Sequence, residues 1–145
     1  MPRVQKSVLV MHPAATMFQL VDAVEQYPQF LPWCAGGQVL LRDSAITRAT
    51  IAIRYAGVAQ SFTTENTKEG GEWMRLTLLN GPFQDFSGHW RFHALSEAGC
   101  KIEFALHYTF TNAILEKAIG PVFGMIVDTL VDRFVARADA LAGAA

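Results

Sequence analysis

The side chains able to move protons or attack a substrate near neutral pH are His12, His89, His93 and His107, with the thiols Cys34 and Cys100. A histidine beside a serine or cysteine, oriented by a carboxylate, makes an activated nucleophile; two facing carboxylates make an acid and a base. Neither set assembles here. His89 and His93 alternate with Trp90 and Phe92, and His107 with Leu106 and Tyr108, so strand periodicity puts all three histidines on a polar face with Arg91 and Lys101. His12 stands before Pro13, where it reads as a loop or helix-start residue rather than a base. Cys34 and Cys100 form no Cys-x-x-Cys pair and have no histidine at metal-ligand spacing, so reduced, buried thiols are expected and no metal site. The clear inward hydroxyls are those of Tyr55 and Tyr108. No catalytic residue is assigned, and binding is the expected activity.

The elements that position these groups follow from two periods. Val4 to Met11 is a β-rich run ended by His12-Pro13. Ala14 to Val24 has apolar residues at helical spacing, Tyr27-Pro28 breaks it, and Gln29 to Trp33 reads as a second short helical turn. From there the period is two: strands are expected at Gln38–Arg42, Ile46–Tyr55, Val58–Thr67, Glu72–Leu79, Phe86–Ala94 and Cys100–Phe110. Their connections are short and rich in turn residues, which forces neighbours to run antiparallel. Alternation turns Ile51, Ile53, Tyr55, Met74, Leu76, Leu78, Phe86, Trp90, Phe92, Phe104 and Tyr108 inward.

The segment Asn112 to Leu141 is helical, with Ile119, Phe123, Ile126, Val127, Leu130, Phe134 and Leu141 on one stripe and Asp128, Asp132 and Asp139 opposite. A helix following a meander buries such a stripe against one sheet face. The expected class is α+β: a seven-stranded antiparallel sheet against a long C-terminal helix, with two short helices after the first strand. Gly120-Pro121 predicts a kink or a broken first turn.

With 145 residues, one domain covering 1–145 is expected. Half the residues are apolar (51%) and 17% are charged, which excludes a disordered chain, and no apolar run reaches the roughly 18 residues of a membrane span. The formal net charge of -1 gives no global attraction to nucleic acid, so any such contact needs a local patch. The N-terminus lacks a signal or transit pattern, and a cytoplasmic location is expected. Outward Arg48, Arg54, Arg75, Arg91 and Lys101 stand against few acids, Glu103 being the clearest, and form a candidate surface for RNA, ribosome or anionic lipid.

Three stretches carry a resemblance: YPQFLPWC (Tyr27 to Cys34), NGPFQDFSGHWRF (Asn80 to Phe92) and VDRFVARA (Val131 to Ala138). In this order they resemble the coenzyme-Q-binding START-like family, which includes the ribosome association toxin (RatA) proteins and was earlier labelled polyketide cyclase. Between Phe83 and Trp90, where the family pattern leads us to expect a basic residue and a leucine, this chain has Gln84, Asp85 and Phe86.

The resemblance implies a helix-grip fold, a curved sheet wrapped around the C-terminal helix with an apolar tunnel between them. The tunnel lining is then Tyr27, Phe30, Trp33, Tyr55, Phe83, Phe86, Trp90, Phe104, Tyr108, Phe123 and Val127, with Tyr27 to Trp33 and Asn80 to Phe83 as its mouth. The function implied first is non-catalytic binding of ubiquinone or a related isoprenoid lipid, in support of respiratory electron transport. The second is a toxin that binds the large ribosomal subunit and blocks subunit joining, and the third a polyketide cyclase or aromatase. No cofactor is required, with ubiquinone the bound molecule implied. The expected partners are a hydrophobic small molecule, the large ribosomal subunit and a peripheral contact with the inner membrane, and no DNA.

Overall fold

Period-two segments joined by tight turns can pair in only one simple way, each strand folding back on the one before it. The computed structural model describes residues 3–144. Its elements are β1 (Arg3–Val10), α1 (Ala14–Asp22), a 3₁₀ helix (Val24–Gln29), β2 (Cys34–Arg42), β3 (Ile46–Tyr55), β4 (Val58–Glu69), β5 (Trp73–Asn80), β6 (Phe83–Ala94), β7 (Cys100–Phe110) and α2 (Ala113–Ala144). The strands form one antiparallel sheet of seven in the order β1-β7-β6-β5-β4-β3-β2. The first strand therefore pairs with the last, Arg3 opposite His107 and Val10 opposite Cys100.

The β3–β4 hairpin turns on Ala56 and Gly57, both at positive φ (49° and 83°), the two-residue geometry whose twist matches that of the flanking strands. At the far edge β2 begins four residues earlier than expected, because Cys34, Gly36 and Gly37 pair with β3 through an irregular register. Gly37 has a packing reason. A Cβ there would lie 2.1 Å from the carbonyl oxygen of Val24, so the 3₁₀ helix lies directly on the β2 backbone.

The second short helix also differs from expectation. It starts at Val24 and includes Pro28, instead of following it. Ala23, at φ −82° and ψ 64°, breaks the chain away from α1, and the amides of Phe30 and Leu31 close the turn on the Tyr27 carbonyl.

Asn112 caps α2, its side-chain oxygen accepting the Leu115 N–H at 2.9 Å. The helix then runs from Ala113 to Ala144 with Pro121 inside it, so the expected break at Gly120-Pro121 does not occur. Proline forfeits one hydrogen bond there, and burial of Ile119 and Phe123 on either side offsets that loss. Ile119, Phe123, Ile126, Val127, Val131, Phe134 and Ala138 are buried against the sheet, whereas Leu141 is 46% exposed and lies beyond the covered face. Asp128, Asp132 and Asp139 face water, and Asp139 accepts from His12 at 2.6 Å, tying the helix back to the end of β1. Among the described residues, no helix is long and apolar enough to cross a membrane.

Candidate functional site

Sheet and helix enclose an apolar cavity of about 70 Å³. Its floor comes from inward residues of β3 to β7, among them Phe62, Met74, Phe86, Trp90 and Phe104; its roof from Phe123, Ile126, Val127, Leu130 and Phe134 of α2; one wall from Val21, Val24, Tyr27 and Trp33. The Trp90 ring packs 4.4 Å from Phe104 and meets Phe134 edge-on at 5.6 Å, so sheet and helix are in direct aromatic contact beside the cavity.

Few polar groups reach this space. The Tyr27 hydroxyl donates to the Val21 carbonyl, and burial pushes that phenol well above its ordinary range. Thr64 donates to the Asn66 side-chain oxygen at 2.9 Å, both residues being buried. The indole N–H of Trp33 is buried without a partner among the described residues. Among the described residues, no carboxylate, histidine or cysteine lines the cavity.

The wall carrying Tyr27 is held by charge. Asp22, at the end of α1, accepts from Lys68 at 2.9 Å and from the Thr47 hydroxyl at 2.6 Å, and the Lys68 side chain is only 8% exposed. Arg42 bridges to Glu25 at 2.5 Å and to the Asp22 carbonyl at 2.6 Å. That guanidinium holds the Glu25 carboxyl below its ordinary value. Helix α1 and the 3₁₀ helix are thus fastened to β2, β3 and β4 at one point.

Of the residues expected to line the tunnel, Tyr27, Trp33, Phe86, Trp90, Phe104, Phe123 and Val127 do surround the cavity. Tyr55 does not. It has the inward parity but ends β3, past the covered region, and is 42% exposed. Phe83 and Tyr108 are buried in a separate aromatic knot, each ring within 5.0 Å of Phe123, so Asn80 to Phe83 plugs that end rather than opening it. Phe30 packs on the outer side of Phe134, with Arg137 stacked over it. The irregular register between Phe83 and Asp85 explains how Phe83 and Phe86, of opposite parity, both turn inward.

The site also contains residues that the sequence reading missed, notably Phe62, Thr64 and Asn66 of β4. In SFTTENTKE polar residues occupy both faces, so alternation gave no inward assignment there; the single phenylalanine was the available signal.

The outward cations are not equivalent. Arg48 is committed to Glu65 at 2.6 Å and Lys101 bridges to Glu103 at 3.5 Å. Arg54, Arg75 and Arg91 are exposed and, among the described residues, lie in no ion pair; Arg75 stacks 5.8 Å over Trp73. His89 and His93 are exposed on this face, and His107 is half-buried there, as alternation required.

Residues 10–135 match the family described as polyketide cyclase / dehydrase and lipid transport. The chain belongs to that family, and its fold is the START-like helix-grip. A START superfamily protein from Mycobacterium smegmatis superposes with a TM-score of 0.78 at 19% identity, covering 96% of this chain and 98% of that one. The Zhui aromatase/cyclase of a Streptomyces species superposes with 0.79 at 15% identity, covering 95% and 93%.

In sequence, the chain is 38% identical over 140 residues to the ribosome association toxin RatA of Pseudomonas aeruginosa, covering 97% of both chains. It is 24% identical over 131 residues to a mitochondrial coenzyme Q-binding protein COQ10 homolog of Xenopus laevis, covering 88% of this chain and 54% of that protein.

Proposed function

We propose that this chain binds the ribosome, with the large subunit as the contact, and thereby restrains the start of translation. The observation that carries this reading is the 38% identity to a ribosome association toxin across 97% of both chains. Two features of the geometry support it. The enclosed cavity, at about 70 Å³, is well below the roughly 300–1,000 Å³ of sites that engulf a drug-sized molecule, whereas the outer sheet face offers exposed arginines without carboxylate partners among the described residues. We read the protein as non-catalytic, since no carboxylate, histidine or thiol among the described residues lines the cavity, and, with the ribosome as its contact, as cytoplasmic.

Sucrose-gradient sedimentation of purified protein with separated ribosomal subunits tests this. The protein is expected to travel with the large subunit at low salt and to be released steeply as salt rises. Protein that stays at the top of the gradient with both subunits at low salt would overturn the reading.

A second function has its own support, the binding of ubiquinone or a related isoprenoid lipid beneath α2, for which the helix roof must lift because the cavity of about 70 Å³ is too small to hold one as it stands. The unpartnered Trp33 indole N–H and the Thr64–Asn66 pair are the donors that a carbonyl on an otherwise apolar ligand would need, and the COQ10 relative is named for such a ligand. Native mass spectrometry of freshly purified protein, followed by organic extraction, is expected to reveal a bound quinone. An apo mass throughout, after expression in quinone-replete cells, would count against it.

A further inference from the structure

Cross-strand register sorts the outer face of the sheet into rows. One row runs Arg3, His107, Ser87 and Thr77 across β1, β7, β6 and β5. The next runs Gln5, Ala105, His89 and Arg75 across the same strands. Small side chains at Ser87 and Ala105 leave the middle of these rows low, and Arg3, Arg75, His89 and His107 stand around it. The result is a depression of about 440 Å³ with no carboxylate in its lining.

Two more depressions open from it. One, of about 440 Å³, shares Arg75 and His89 and reaches Arg91 and Trp73; the other, of about 460 Å³, shares His89 and Ala105 and reaches Lys6 and Lys101. His89 borders all three, so they form one branched trough across the sheet. The single carboxylate on its border, Glu103, is engaged by Lys101 and His93, each at 3.5 Å.

We propose that this trough binds a single strand of RNA, an inference that rests on the ribosome reading. Phosphates would sit against Arg3 and the two histidines, and the Arg75 guanidinium, stacked on Trp73, supplies the flat cationic surface on which a base packs. Charge complementarity selects a polyanion, and shape selects a strand over a membrane. Lipid headgroups lie in a plane and would meet only the rim, while a polynucleotide can follow the recessed floor.

The test measures binding of a labelled mixed-sequence RNA oligonucleotide, and in parallel of vesicles rich in phosphatidylglycerol, to three forms of the full chain. The double variant Arg3→Glu/Arg75→Glu is expected to lose at least about tenfold in RNA affinity. The matched control Lys117→Glu/Arg133→Glu, both exposed on α2, makes the same change in net charge away from the trough and is expected to stay within about twofold of the unmodified protein. The milder Arg75→Gln/His107→Gln variant, with folding checked by circular dichroism, guards against a strand-edge defect and is expected to lose about threefold or more.

Equal losses in trough and control variants, undiminished binding by both trough variants, or an unmodified protein that binds vesicles but not RNA would each overturn the proposal. Sedimentation of the unmodified protein with ribosomes is scored separately. The trough can therefore fail while the ribosome reading stands.

Discussion

Replacing Phe134 by alanine is expected to lower the free energy of unfolding by roughly 3–5 kcal/mol, the range for deleting a large aromatic from a closed core. Phe134 is 1% exposed and its ring meets Tyr27 and Phe30 at 5.4 Å and Trp90 at 5.6 Å. One side chain thus joins the helix, the 3₁₀ segment and the sheet. Its aromatic neighbours are fixed on two separate elements, the 3₁₀ segment and β6, and cannot collapse together into the void, so both the transfer and the cavity contributions are lost. Urea denaturation of the variant against the unmodified protein measures this. A loss under about 1.5 kcal/mol would mean that the cavity beside Phe134 already relaxes to fill such a gap.

The second large effect is electrostatic. Changing Asp22 to asparagine keeps the acceptor for the Thr47 hydroxyl but strands the Lys68 ammonium, whose side chain is 8% exposed. Breaking a buried pair from one side costs roughly 3–5 kcal/mol, and removing both charges recovers much of it. Accordingly, Asp22→Asn alone should be strongly destabilising, and Asp22→Asn/Lys68→Met should be clearly more stable than that single variant, with the coupling read from a double-mutant cycle. If the single variant unfolds at the unmodified denaturant midpoint, Lys68 reaches water by another rotamer and Asp22 does not hold α1 down.

The meander and the long helix were legible because hairpin turns and two distinct periods mark them locally. Strands β3 and β7 match their expected bounds for that reason. Parity located Trp90 and Phe104 correctly and misled at Tyr55, since alternation tells which way a residue points but not whether anything covers the strand end. The expected β2 is shorter than the observed strand because Gly36 and Gly37 carry no hydrophobic signal, although the smallness of Gly37 is what lets the 3₁₀ helix approach.

The Asp22–Lys68 contact joins residues 46 apart and has no trace in local pattern. The same holds for the trough. Glu103, which engages Lys101, lies two residues along the same strand and is visible in sequence, whereas only cross-strand register reveals that Glu65 occupies Arg48 and that Arg3 and His107 stand side by side.

The pairing of β1 with β7 also imposes an order in time. Arg3 faces His107, and Val10 faces Cys100, so β1 must wait through about a hundred residues of synthesis for its neighbour. The hairpins of β2 to β6 need no such wait. A nascent chain can therefore complete most of the sheet while it still lacks the edge on which Arg3 and His107 meet. Because α2 follows β7, its roof over the cavity arrives later still. The outer edge of the sheet and the cavity's roof are thus the last parts of this fold to be completed during synthesis.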